Sequence, residues 1–171
     1  MGKYKEVYGN LITLANSGEF DVIAHGCNIW CVMGSGIAPK MAKAFGADRF
    51  KMESREYRGD INKLGTIDYE HKTLLIKGEE DFYDFNLAVV NCYTQFNVAK
   101  YPGERVIDYC ALSLCLKKIN HYFGGTRVGL PLIGGGLAGG DPDEIREIIK
   151  RELYSCDTTL VLFDPNLPEC Q

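Results

Sequence analysis

Two glycine-rich turns contain the residues of this chain that are best suited to chemistry on an anion. The first is Gly34-Ser35-Gly36-Ile37-Ala38, and the second runs from Gly134 to Gly140 with the sequence GGGLAGG. Glycine lets backbone N–H groups approach an anion without a Cβ in the way, and the N-terminus of a following helix adds partial positive charge. Two such turns together predict a ligand that carries a diphosphate group.

The elements that must position these turns alternate between strand and helix. Apolar runs between turn signals predict strands at Tyr4 to Tyr8, Asp21 to Cys27, Gly65 to Glu70, Lys72 to Lys77, Leu87 to Tyr93, Val128 to Ile133 and Thr158 to Phe163. A tight turn is expected between the third and the fourth of these strands. Helical spacing predicts helices at Gly36 to Phe45, Arg49 to Tyr57, Val106 to Phe123, which stops at Gly124-Gly125, and Asp143 to Tyr154.

This alternation predicts an α/β fold with helices on both sides of a mostly parallel sheet, formed as a single domain over residues 1–171. Both glycine turns follow strands, so they are expected at the carboxyl edge of the sheet, where such folds bind ligands.

Composition excludes several classes of protein. A net charge of −4 and basic residues without a long run argue against strong nucleic-acid binding. No stretch approaches 18 consecutive apolar residues, so neither a membrane span nor a secretion signal is predicted, and the expected location is the cytoplasm. The seven cysteines lack paired C-x2-C spacing, which favours reduced thiols. No metal or redox cofactor is predicted.

The motifs exclude further chemistries. Gly134, Gly136 and Gly139 satisfy G-x-G-x-x-G, but only one predicted helix and one strand follow, too few for a dinucleotide-binding Rossmann unit. The chain has no P-loop, and no cysteine is followed at the sixth position by the Arg of a thiolate phosphatase. Any hydrolysis is therefore expected to use water.

The chain resembles the macrodomain family, a three-layer α/β/α fold that binds ADP-ribose on a central mixed, mostly parallel sheet. Three segments carry the resemblance: VIAHGCN at 22–28, MGSGIA at 33–38 and PLIGGGLAGGD at 131–141. The resemblance extends over essentially the whole chain. It is strongest to the small stand-alone branch from phages and bacteria described as ADP-ribose 1''-phosphate phosphatases.

The resemblance implies where ADP-ribose would lie. Adenine would contact Asn10, Leu11 and Phe163, and the backbone amides of both glycine turns would hold the diphosphate. Thr94, at the end of a strand, either contacts the ribose or phosphate or simply ends the strand. The full implied set of ligand-binding residues is Asn10, Leu11, Gly34, Ser35, Gly36, Ile37, Thr94, Ile133, Gly134, Gly135, Gly136, Leu137, Ala138 and Phe163.

Three residues are candidates for catalysis. The resemblance places Asn28 at the distal ribose, and His25 lies three residues before it with an imidazole suited to general acid or base work near neutral pH. A satisfied core histidine is an equally good interpretation. Asp141 is the third candidate, although an N-cap before Pro142 is enough to explain it.

Three functions stay open at this point. The first is hydrolysis of ADP-ribose 1''-phosphate, and the second is binding of ADP-ribose without turnover. The third, removal of ADP-ribose from protein or nucleic acid, is disfavoured because the stretches at 90–95 and 137–139 lack the Lys and Asp that some hydrolases of this fold use. The expected partner is ADP-ribose or its 1''-phosphate, and no oligomeric state is predicted.

Overall fold

A central six-stranded sheet organises residues 1–167, the part of the chain that the computed structural model describes. The strands are β1 (Tyr4–Tyr8), β2 (Val22–Asn28), β3 (Ile67–Lys77), β4 (Phe82–Gln95), β5 (Arg127–Leu130) and β6 (Asp157–Leu162). Their spatial order is β1-β6-β5-β2-β4-β3. All neighbours are parallel except β3, which runs antiparallel to β4, so the predicted mixed and mostly parallel sheet is confirmed.

In the described residues four α-helices cover the two faces of the sheet: α1 (Leu11–Asn16), α2 (Ala38–Phe45), α3 (Tyr109–Phe123) and α4 (Pro142–Glu152). Side chains of β2 alternate between the two faces. Ile23 joins a buried cluster that contains residues of α1 and α2, whereas Val22 and Ala24 join one that contains residues of α3 and α4. The two cores on opposite faces of one sheet confirm the three-layer α/β/α fold.

Several predicted boundaries are wrong in ways that have a physical reason. The strands predicted at 65–70 and 72–77 form one continuous strand, in which His71 pairs with Ala88 of β4. The turn lies instead after Lys77, where the Gly78 amide donates to the Asp81 carbonyl at 2.7 Å. The helix predicted at 49–57 is a series of short 3-10 turns, because Phe50 and Ser54 are extended, with ψ values of 159° and 156°.

The helix predicted from Val106 begins only at Tyr109. Asp108 is its N-cap and accepts from the Ala111 amide at 2.9 Å. Val106 and Ile107 are held outside the helix because their amides donate to the Ala138 carbonyl, at 2.8 and 3.2 Å. Hydrogen bonds to the second glycine turn therefore delay the start of the helix. The helix ends at Phe123, before Gly124-Gly125, as predicted.

The short helix α1 was not predicted from the sequence. It has six residues, and its N-cap is Asn10, whose side-chain oxygen accepts from the Thr13 amide at 3.0 Å. Cys170 lies outside the described residues, and the other cysteines are free thiols. None of the helices in residues 1–167 has the length and hydrophobicity to cross a membrane.

Candidate functional site

The two glycine turns meet at the carboxyl edge of the sheet. They follow β2 and β5, which are parallel neighbours, so both turns leave the sheet at the same edge. The gap between them is narrow, because a Cβ added to Gly36 would lie 4.0 Å from Cδ1 of Leu137. The expectation that the turns lie together at one edge is confirmed.

The second turn presents amides to the space at this edge. Gly134 and Gly139 adopt positive φ values of 78° and 69°, which only glycine takes without strain. Within residues 1–167 the amides of Gly136, Leu137 and Ala138 donate no hydrogen bond. A Cβ on Gly136 would meet no atom within 4 Å. The turn thus combines free amide donors with open space beside them.

The first glycine turn also has backbone amides that are free to donate. Gly36 has a φ of 65°, and the following α2 begins after Ile37 without a side-chain cap. In the described part of the chain the amides of Ser35, Gly36 and Ile37 have no hydrogen-bond acceptor. Uncapped amides and the positive end of a helix dipole attract an anion. Gly34 and Ser35 are exposed beside them.

The edge continues on one side toward β6 and β1. The Gly9 amide donates to the Leu162 carbonyl at 2.9 Å, which brings Asn10 and Phe163 to the carboxyl ends of neighbouring strands. Phe163 is 70% exposed and offers an aromatic face. The side chain of Leu11 is buried in the core, so a ligand at this edge would not reach it. The side-chain oxygen of Asn10 already caps α1.

On the other side, Asn28 lies at the end of β2, next to β4. Its Oδ1 accepts from the amides of Trp30 and Val32 at 3.0 and 3.3 Å, and its Nδ2 donates to the Val32 carbonyl at 2.8 Å. Asn28 therefore holds the loop that leads into the first glycine turn. The side chains of Thr94 and Ile133 are buried beneath the edge, where both lie against Gly26.

His25 points into the interior and not toward the turns. It is fully buried, and its Nε2 lies 2.6 Å from Oδ1 of Asn91. Asn91 donates from Nδ2 to the Ala47 carbonyl at 2.9 Å, so its Oδ1 accepts and the His25 proton is on Nε2. Burial lowers the pKa of His25 to about 4, while the Asn91 hydrogen bond opposes that shift. The predicted acid or base role needs access to a substrate that this structure does not provide.

Asp141 is the N-cap of α4. Its Oδ1 accepts from the amides of Asp143 and Glu144 at 2.8 and 3.1 Å, and its own amide donates to the Tyr109 hydroxyl at 2.8 Å. The side chain is exposed next to the second glycine turn. The capping interpretation is thus seen directly, and a catalytic role stays a prediction.

Asp141→Ala is expected to lower the free energy of unfolding by about 1 kcal/mol, because two helix amides lose their acceptor. Asp141→Asn keeps an accepting oxygen and is expected to retain most of the stability. Urea unfolding of the two variants measures the difference. Equal destabilisation by both substitutions would mean that the carboxylate charge, and not the cap, is what stabilises the helix.

The sequence interpretation assigned no ligand role to a group of polar residues beside the first loop. Glu53, Arg55 and Arg58 line a cavity with Cys31, and the buried Lys63 contacts the Cys31 thiol. Glu53, Arg55 and Lys63 belong to short 3-10 turns without periodicity, so only the folded chain brings these residues together. Within residues 1–167 no group of three or more His, Cys, Asp or Glu side chains is arranged to hold a metal ion.

The fold of this chain is similar to the folds of known structures. The macrodomain of Mycobacterium tuberculosis DarG is similar with a TM-score of 0.65 and 17% identity, over 97% of this chain and 100% of that one. Thermosipho africanus DarTG in complex with ADP-ribose gives a TM-score of 0.67 and 13% identity, over 99% of this chain and 44% of that one. The protein is therefore a macrodomain by its fold. No protein-family model matches the sequence.

A relative in sequence is a phage protein. The chain is 33% identical over 169 residues to a 17.5 kDa protein from the tk-vs intergenic region of Enterobacteria phage T4, covering 94% of this chain and 95% of the phage protein. The chain belongs to the same family as that protein, and this family has the macrodomain fold.

Proposed function

We propose that the protein binds ADP-ribose along the carboxyl edge of its sheet and hydrolyses ADP-ribose 1''-phosphate to ADP-ribose and phosphate. The observation that carries the binding proposal is the pair of adjacent glycine turns with free amides. One similar structure, Thermosipho africanus DarTG, was solved with ADP-ribose. The order of the strands suits an elongated ligand. Along the edge, Phe163 follows β6, the second glycine turn follows the neighbouring β5, and Asn28 and the first turn lie at the end of β2.

Each part of the ligand has a group to contact in this proposal. Adenine lies on the exposed face of Phe163 near Asn10. The diphosphate accepts hydrogen bonds from the amides of Ser35, Gly36 and Ile37 and from those of the second turn. The distal ribose lies beside the loop that Asn28 holds. Backbone donors that are already in place cost little reorganisation when the anion binds.

The hydrolytic step is water attack on the phosphorus atom. The bond between phosphorus and the C1'' oxygen breaks, so the ribose oxygen is the leaving group and takes up a proton that the attacking water released, and inorganic phosphate is formed. Of the three candidates for catalysis only Asp141 is exposed, so its carboxylate is the group in this proposal that accepts a proton from the attacking water. His25 has a positioning role in this proposal, because it donates a hydrogen bond to Asn91 in β4, the strand beside β2.

Binding without turnover is the second candidate function. The burial of His25 favours it, because the edge then lacks the imidazole that a general acid near neutral pH would supply. Two measurements on the purified chain separate the candidates: calorimetry with ADP-ribose, and phosphate release from ADP-ribose 1''-phosphate. Binding together with release supports the phosphatase. Binding without release supports the binding module, and the absence of ADP-ribose binding would contradict both.

A further inference from the structure

A polar cavity lies beside the loop that leads into the first glycine turn. It has a volume of about 340 Å³ and is lined by Cys31, Glu53, Arg55 and Arg58. Cys31 lies in the loop that Asn28 holds, because Asn28 Nδ2 donates to the carbonyl of the next residue, Val32, at 2.8 Å. The cavity therefore lies beside the end of the edge where the distal ribose is placed in the proposed function.

The loop at this cavity is held from several directions. Cys31 is the non-glycine residue with a positive φ, 59°, in the described chain. The Ile29 carbonyl accepts from the Gly59 amide at 2.8 Å and from Lys63 Nζ at 3.3 Å. A Cβ on Gly59 would lie 2.6 Å from the Trp30 ring, so the segment with the two arginines packs closely on the loop. A non-glycine residue keeps a left-handed backbone only where its surroundings hold it there.

The charges at this cavity are mainly positive. Lys63 is 1% exposed, and its ammonium donates to the Met52 carbonyl at 2.7 Å and to Cys31 Sγ at 3.1 Å. Among the described residues no carboxylate lies within 4.0 Å of Lys63, Arg55 or Arg58. Burial raises the pKa of Glu53, the carboxyl group in the lining, while Lys63 and the Tyr93 hydroxyl oppose that shift. Two guanidinium groups with no carboxylate within that distance complement an anion, and Lys63 adds positive charge that is partly balanced by Glu53 and Asp68.

Cys31 is not suited to act as the nucleophile here. Burial raises the pKa of its thiol, more than the hydrogen bond from Lys63 lowers it. A neutral thiol attacks phosphorus poorly. The cavity is therefore suited to binding an anion and not to covalent chemistry.

We propose that this cavity binds the phosphate monoester on the distal ribose, with Arg55 and Arg58 as its ligands and with Lys63, which contacts Cys31, as a further positive charge. The proposal rests on the proposed function, because it requires ADP-ribose in the neighbouring groove. The cavity would then be the feature that distinguishes ADP-ribose 1''-phosphate from ADP-ribose. Arginine suits this task because its planar fork matches two phosphate oxygens.

The test compares two ligands on three proteins by calorimetry. The wild-type chain is expected to bind a non-hydrolysed analogue of ADP-ribose 1''-phosphate about tenfold more tightly than ADP-ribose. The double variant Arg55→Gln/Arg58→Gln is expected to lose this preference and to keep its affinity for ADP-ribose within about twofold. Lys77→Gln removes an exposed charge at the end of β3, at the opposite edge of the sheet, and is the control.

If the wild type binds ADP-ribose but shows no preference for the phosphate, or if the double variant keeps the preference, the inference is wrong and the binding part of the proposed function stands. An equal loss of affinity for both ligands would also overturn the inference, since the arginines would then act on the shared ADP-ribose portion. If the wild type binds neither ligand, the proposed function itself fails.

Discussion

Gly136→Val is expected to weaken the binding of ADP-ribose strongly while the protein stays folded. A Cβ at Gly136 meets no atom within 4 Å, and the residue does not require a positive φ, so the substitution creates no clash inside the protein. The valine methyl groups instead fill the space beside the free amides of the second turn. We expect the dissociation constant to rise about 100-fold or more, equivalent to about 2.8 kcal/mol of lost binding free energy.

A glycine at the other edge of the sheet provides the control. Gly125 follows α3 and also has no atom within 4 Å of an added Cβ, but its φ is 83°. Gly125→Val is therefore expected to destabilise the fold more than Gly136→Val does and yet to bind ADP-ribose normally. Calorimetry and thermal unfolding of both variants decide the matter. Normal binding by Gly136→Val would show that the second turn does not contact the ligand.

The stability of the protein is expected to fall steeply between pH 6.5 and pH 4 because of His25. Its pKa is about 4 in the folded state, against an ordinary value near 6.5 in the unfolded chain. Above pH 6.5 the imidazole is neutral in both the folded and the unfolded state, so it does not make the stability depend on pH. As the pH falls toward 4, the unfolded chain takes up a proton that the buried ring does not, and stability falls by about 3 kcal/mol.

His25→Gln isolates this contribution. A glutamine does not titrate in this range, and its amide can still donate to Oδ1 of Asn91. Urea unfolding at pH 7, 5.5 and 4.5 is expected to give a shallower pH dependence for the variant than for the wild type. Other groups, such as the Asp21 carboxylate paired with Arg127, contribute equally to both proteins and cancel in the difference. Identical pH profiles would show that His25 does not titrate as a buried imidazole.

The same variant also addresses the catalytic prediction. Because His25 contacts Asn91 and lies 3.7 Å from Cys27 Sγ in the interior, its replacement is expected to leave ADP-ribose binding nearly unchanged. A large loss of turnover in a stable His25→Gln variant, with binding intact, would show that the imidazole takes part in the reaction.

Elements with strong local signals were predictable. The glycine turns, the apolar run of β2 and the stop at Gly124-Gly125 depend on backbone freedom and hydrophobic pattern, which are properties of neighbouring residues. Their order along the chain was enough to predict the α/β/α layers and the common edge. The continuous β3 was missed because pairing with β4 along its whole length overrides the weak local preferences around His71.

By itself the sequence determined that two glycine-rich turns follow strands of one sheet, because glycine content and the alternation of strands and helices are properties of neighbouring residues. Only the tertiary structure decided which way the side chains between those turns face. It buried His25 against Asn91, used Asn28 to hold its own loop, and brought Lys63, Arg55 and Arg58 beside Cys31. Each of these outcomes depends on contacts between residues far apart in the chain, and such contacts leave no pattern in the local sequence.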